Sequence, residues 1–411
     1  EVSFMNFKKH IQVYQGLPKS VYILFISIVI NKIGGFIAPL MVLILTVKIG
    51  LPDAQVGLVS TIALLTQAPF VMAGGSLVDR FGAKKTIVVL HTIGALFYLV
   101  CAALKPGVWL AVLMIFTSDL YAMASPAPNA LIPIVTSKDK VKNAYSLMYL
   151  GLNLGLAIGP LIGGLLFNEY LSLLFVIDAI TTLVSTGLVL FLFDDQQDAQ
   201  AVANDEGEGE AALEMPSMLQ FLKNNPMLIF VSVALLFFNF SYIQWNFLLP
   251  LQTVMLFSDS GPKFFSLLLS INAITVVALS PILTSVTQKL ASLKSMFLGG
   301  VFYIVSFLMF AMSHNMPLFV ASIIVMTIGE IMIAINMNHY IAASTPKKLL
   351  GRANSLIFII SGAGYAMGPV IMGAFLTAVT YQSAWIITSG VTAVATVVMY
   401  GLSKIDKQHN N

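Results

Sequence analysis

The sequence predicts an all-α membrane protein: twelve transmembrane helices in two pseudo-symmetric six-helix bundles. Three observations point there. Hydrophobic residues make up 58% of the 411 residues and charged residues only 9%, against about 25% charged in an ordinary soluble domain. So few charges cannot cover a soluble surface of this size. Apolar runs of about 20 residues, each long enough to cross a hydrocarbon core of roughly 30 Å, recur along the whole chain. The second half of the chain also echoes the first.

Pro, Gly and charge clusters punctuate the apolar runs. They place the spans at 20–47, 54–76, 84–104, 108–132, 142–167, 171–193, 225–252, 262–287, 293–313, 317–342, 351–377 and 381–403. The polar start and the length of the first run argue against a cleavable signal peptide. Cys101, the single cysteine, allows no internal disulfide. Orientation follows from the Lys/Arg bias. With both termini in the cytoplasm, seventeen of the 21 basic residues lie on the inner side, among them Lys8, Lys9, Lys138, Lys223, Lys289, Lys347 and Lys348. The outer loops hold Lys48, Lys105 and Lys263. The expected location is the cell's inner (plasma) membrane. One connection is long, polar and acidic, with Asp205, Glu206, Glu208, Glu210 and Glu214. Taken as 194–220, it reads as a solvated cytoplasmic linker between bundles at 1–193 and 221–411.

The repeat is clearest in spans five and eleven. At a constant offset of 209 residues, Ala144, Ser146, Leu147, Gly155, Ala157, Gly159 and Pro160 match Ala353, Ser355, Leu356, Gly364, Ala366, Gly368 and Pro369. Spans one and seven share a weaker echo, Phe36 and Pro39-Leu40 against Phe247 and Pro250-Leu251. A parallel duplication of six helices is a transporter signature, with a central site near the bilayer midplane.

Between spans two and three stands "GGSLVDRFGAKK". Gly75, Asp79, Arg80, Gly82, Lys84 and Lys85 fit the pattern G-x-x-x-D-R-x-G-x-[RK]-[RK], in which glycines permit a tight turn and the charged groups can form a latch. This loop, the twelve spans, the two related halves and the acidic linker together resemble the major facilitator superfamily. The resemblance implies that the loop controls conformation, stabilising the outward-facing state, rather than touching substrate. A second motif, "GLNLGLAIGPLIGG", resembles the span-five antiporter motif of the twelve-span drug/proton exchangers. Its Gly151, Gly155, Gly159 and Gly163 fall four apart on one helix face, followed by Gly164. They would let another helix approach closely, and Pro160 would bend the span. The sequence departs from that branch in span four, which lacks the arginine linked to proton coupling there. The Glu-rich, Arg-containing motif of the proton-dependent peptide carriers is absent from span one as well.

Lys32, Asp119, Asp178 and Glu330 lie inside spans, where a charge costs at least ~2.5–3.5 kcal/mol at a helix centre and marks a functional candidate. Counted from the inner ends of spans one, four and ten at ~1.5 Å per residue, Lys32, Asp119 and Glu330 reach nearly one level. The resemblance implies that these spans line the central cavity. The expectation is that Lys32 and Asp119 face each other, with Glu330 opposite. Glu330 and Asp119 are then candidate proton carriers, and Lys32 either balances Asp119 or binds an anionic group on the cargo. Asp178, nearer the outer face of the more peripheral span six, reads as structural, as does His91. Polar groups suited to a cavity are Asn31, Asn239, Tyr242, Gln244, Trp245, Asn246 and Asn336. His339 reads as a gate or packing residue. Twenty Met and 28 Phe suit lipophilic cargo but equally suit lipid.

The sequence has no nucleotide-binding loop, metal-ligand cluster or nucleophile–base arrangement, which argues against an enzyme. The expectation is a secondary active transporter working by alternating access. It would need no cofactor or metal, draw on a proton gradient and work as a monomer in the bilayer without nucleic acid. The foremost reading is proton-coupled efflux of lipophilic or amphipathic small molecules. The alternative is a carrier of one defined polar or anionic metabolite (amino acid, peptide, sugar or lipid-derived) with Lys32 as ligand.

Overall fold

The computed structural model describes residues 14–137, 140–194, 226–287, 290–345 and 350–409. The acidic linker lies outside the described residues except for Asp194, as do Lys8, Lys9, Lys138, Lys223, Lys289, Lys347 and Lys348. Among the described residues there are helices and no strands. Eleven stretches are long and apolar enough to cross a membrane. One of them, Pro226–Thr287, holds two helices, Pro226–Phe257 and Gly261–Thr287, separated by a single 3₁₀ turn at Ser258–Ser260. Twelve crossings result.

Large apolar side chains stand open on the outside, including Phe191, Trp109 and Met72, which are 77–81% exposed. In water such a surface would be an aggregation liability, whereas lipid tails solvate it. Helices are the form in which a chain can do this, because each span satisfies its own backbone hydrogen bonds.

The described residues within Glu1–Met41 and Ala63–Glu210 form one compact unit, and those within Val42–Ile62 and Ala211–Asn411 form the other. In the first unit, a core of Val21, Leu24, Leu131, Ile132, Leu147, Val189 and Phe193 ties spans one, four, five and six together. The second unit includes the start of span two. There Tyr381 donates its hydroxyl to Asp53 at 2.7 Å, and the Val370 N–H donates to Thr61 Oγ1 at 3.0 Å. Gly57 meets the backbone of Pro369 and Gly373 with no room for a side chain.

Two spans of the first unit are interrupted. Span one runs as a helix over Lys19–Gly34, restarts over Ile37–Leu43 and ends in a π-helical turn at Ile44–Lys48. At the break Gly35 adopts φ −76°, ψ 65°, the geometry of an inverse γ-turn, with the Phe36 N–H donating to the Gly34 carbonyl at 2.9 Å. Span four is interrupted at Ser125, between the helices Val108–Ala124 and Pro126–Val135, where Pro126 supplies no N–H to continue the ladder.

The small-residue face of span five is what draws span one in. Substituents on Gly151, Gly155, Gly159 and Gly163 would run into Phe25, Lys32, the Lys32 and Ile33 carbonyls, and Phe36 with Leu40. Span eleven repeats the arrangement in the second unit, where Gly364 and Gly368 meet Leu236, Phe240 and Ile243 of span seven. In lipid such pairs are held by close van der Waals contact rather than by hydrophobic expulsion.

Candidate transport sites

The first unit encloses a cavity of about 710 Å³. Span four lines it with Ser118, Tyr121, Ala122, Ser125, Pro128 and Asn129, and span one with Leu24, Ile28, Asn31, Lys32, Gly35 and Ala38. Both sets follow helical spacing of three and four, so each is one face of its helix. Lys32 is on that face. Asp119 is not: one residue round from Ser118, it turns toward span two. There the Thr66 hydroxyl bonds to it, and its Oδ1, buried, has no hydrogen-bond partner.

The acid that shares the cavity with Lys32 is therefore Asp178 rather than the expected Asp119. Asp178 is only 4% exposed and lies on the cavity wall. Counted from the inner end of its helix, which closes at Leu192, Asp178 lies within one residue of the depth of Lys32 counted from Lys19. Judging it from its nearer, outer end misplaced it. The span-one break also meets this carboxylate: the Ile37 N–H donates to Asp178 Oδ2 at a long 3.5 Å. One turn along span six, Thr182 accepts from Asn31 Nδ2 at 3.0 Å. His91, read from the sequence as structural, lines the same cavity, its Nδ1 unpartnered and its ring edge-on to Tyr121 at 5.5 Å.

The second unit builds a different site. Glu330 Oε1 accepts from the Tyr242 hydroxyl and Oε2 from Asn272 Nδ2, both at 2.9 Å. Asn272 also donates to Thr327 Oγ1 at 2.9 Å. Tyr242 stacks on Tyr303 (6.1 Å), leans on Tyr365 (6.4 Å) and meets Trp245 edge-on (6.2 Å). The result is a half-buried carboxylate held by neutral donors beside four aromatic rings.

Of the other expected cavity residues, Asn239 donates to the Ser361 carbonyl at 3.1 Å, linking spans seven and eleven. Gln244 and Asn336 donate to carbonyls of their own helices, Phe240 and Met332. Gln244 Oε1 and Trp245 Nε1 are buried without partners, while Asn246 is half-buried. His339 accepts or donates at Nδ1 with Ser292 at 2.9 Å. Asn272, Tyr303, Tyr365 and Tyr121 were missed. Each is a lone polar or aromatic residue in an apolar run, and Asn272 is the one whose polarity gave a signal.

In the loop between spans two and three, Gly82 takes φ +85°, which favours glycine. Lys84 Nζ donates to the Phe193 carbonyl at 2.7 Å, and the Arg80 guanidinium lies 5.2 Å from the Phe81 ring centre. Asp79, Arg80 and Lys85 are exposed, and Gly75 faces open space.

The sequence profile described as Major Facilitator Superfamily matches residues 23–262 and 259–411. The chain belongs to this superfamily. It is similar to the uncharacterised MFS-type transporter YttB of Bacillus subtilis, 26% identical over 368 residues, covering 88% of this chain and 89% of the relative. It is also similar to a Na(+), Li(+), K(+)/H(+) antiporter of Planococcus maritimus, 25% identical over 344 residues, with 77% and 80% covered. Among solved structures, the nucleoside transporter NupG superposes with a TM-score of 0.75 at 16% identity, covering 94% of this chain and 99% of that one. The peptide transporter POT in complex with sulfate superposes with a TM-score of 0.75 at 15% identity, covering 97% and 98%. At such identity these structures share the fold alone. The protein is a multi-pass membrane transporter of the superfamily, and its relatives are transporters rather than enzymes.

Proposed function

We propose that this transporter works by proton-coupled alternating access and exports lipophilic or amphipathic small molecules, organic cations foremost. The observation that carries this reading is Glu330, whose partners are Tyr242 and Asn272 rather than a Lys or Arg. A half-buried acid in a membrane span, with no Lys or Arg partner among the described residues, favours either a bound proton or a bound cation. The rings of Tyr242, Trp245, Tyr303 and Tyr365 offer the faces that attract an organic cation. Proton and cargo thus compete for one carboxylate, which is the elementary requirement of antiport. Asp119, with its unpartnered Oδ1, is the second carboxylate assigned to coupling. The end of each bundle that carries the basic residues faces the cytoplasm, with both termini there, as the charge bias requires.

A second reading takes its cue from the Planococcus relative, in which the exchanged ion is Na(+), Li(+) or K(+). The aromatic surround favours the organic cation, because a small metal ion needs several oxygen ligands. A carrier of anionic metabolites through Lys32 has less support, since Asp178 offsets that charge within the same cavity.

Vesicles under an imposed pH gradient test the proposal. Addition of a lipophilic cation such as tetraphenylphosphonium is expected to drive proton flux in the wild type and none in Glu330→Gln. Equal flux in both would reject the assignment. Flux driven only by Na(+), Li(+) or K(+) would favour the second reading.

A further inference from the structure

The Lys32–Asp178 pair is left unused by a mechanism built on Glu330, and its setting is unusual. Asp178 sits where span one breaks, facing the N-terminus of the restarted helix, and Lys32 closes the last turn of the first half. The glycines of span five press on the Lys32 backbone and fix it against this wall. The titratable groups facing the pair are His91 and Tyr98 from span three and Tyr121 from span four, with Cys101 beyond Tyr98. No second acid is among them. The cavity runs from this pair toward Asn129, Tyr145 and Met148, which lie in the halves of spans four and five nearest Lys140 and Lys142.

We propose that Asp178, balanced by Lys32 across the break in span one, is a further proton-binding site, situated in the first unit and separate from Glu330 and Asp119. The step is simple: a carboxylate that shares its cavity with a lysine ammonium takes one proton from the cavity to become a carboxylic acid, and no other bond changes. The pair passes from net neutral to net positive. Protonation also weakens the charge-assisted hold on the Ile37 N–H, loosening the restart of span one. This inference rests on the proton coupling proposed above, though not on the identity of the cargo.

Infrared difference spectroscopy of the full chain in lipid nanodiscs, titrated with pH, tests it. The wild type is expected to show a protonated-carboxyl band that is absent from Asp178→Asn and present in Glu330→Gln. In Lys32→Gln the band is expected to persist to a proton concentration about tenfold or more lower, because the neighbouring positive charge is gone. Should Asp178→Asn fail to fold, Lys32→Gln/Asp178→Asn removes both charges together and supplies the comparison. A band unchanged by either Asp178 variant, or a titration unmoved by Lys32→Gln, would overturn the proposal. A failure of the Glu330 assignment reads out separately, as cargo-driven flux surviving in Glu330→Gln vesicles.

Discussion

The two units use one scaffold for two electrostatic arrangements. In the first, span five glycines seat against Lys32 on a broken helix, and an acid from span six answers the lysine. In the second, span eleven glycines seat against Leu236, Phe240 and Ile243 on the unbroken helix Pro226–Phe257, and the acid comes from span ten with tyrosine and asparagine as partners. Duplication kept the close packing and let the chemistry diverge. In the first unit the acid shares its cavity with a lysine, whereas in the second the acid is held only by neutral donors.

The largest effect is expected from attacking what the units share. Gly155→Leu and Gly364→Leu each push a side chain into the backbone of the facing span. Each should lose about 1–3 kcal/mol of stability or more, seen as a lower thermal midpoint or loss of folded protein. Gly187→Ala, which faces open space, should leave the midpoint unchanged. Equal behaviour of all three would break the claim of a common scaffold.

Next come changes that touch only the second site. Tyr242→Phe and Asn272→Ala each remove one donor from Glu330, and a hydrogen bond to a charged group is worth about 1.5–3 kcal/mol. Without the donor the ionised form is less stable, so half-maximal proton release should require a higher pH. Neither change should alter the Asp178 carboxyl band. The smallest effect is expected from Asp119→Asn, because Asp119 turns toward Thr66 rather than onto the cavity stripe. Its cargo-driven proton flux should fall less than that of Glu330→Gln. A complete loss would promote Asp119 to an equal role.

The spans were legible because hydropathy along one dimension settles them, and the twelve crossings follow from it. The seating of span five was legible too, because small residues spaced by four have one structural use. Rotation about the helix axis was not. Asp119 and Ser118 differ by one position, yet one points at Thr66 and the other at the cavity. Depth misled for Asp178, since a span of 22 residues places the same level at a different distance from each end. Asn272, Tyr303 and Tyr365 come from three different spans, and only their convergence on Glu330 and Tyr242 gives them meaning.

The central claim is that one proton and one cation compete for Glu330. Purified protein in weakly buffered solution, mixed with tetraphenylphosphonium while pH is recorded, puts this to the test directly. Proton release that saturates with binding in the wild type, and is absent in Glu330→Gln, is the expected result. Release of the same size in Glu330→Gln would contradict the account.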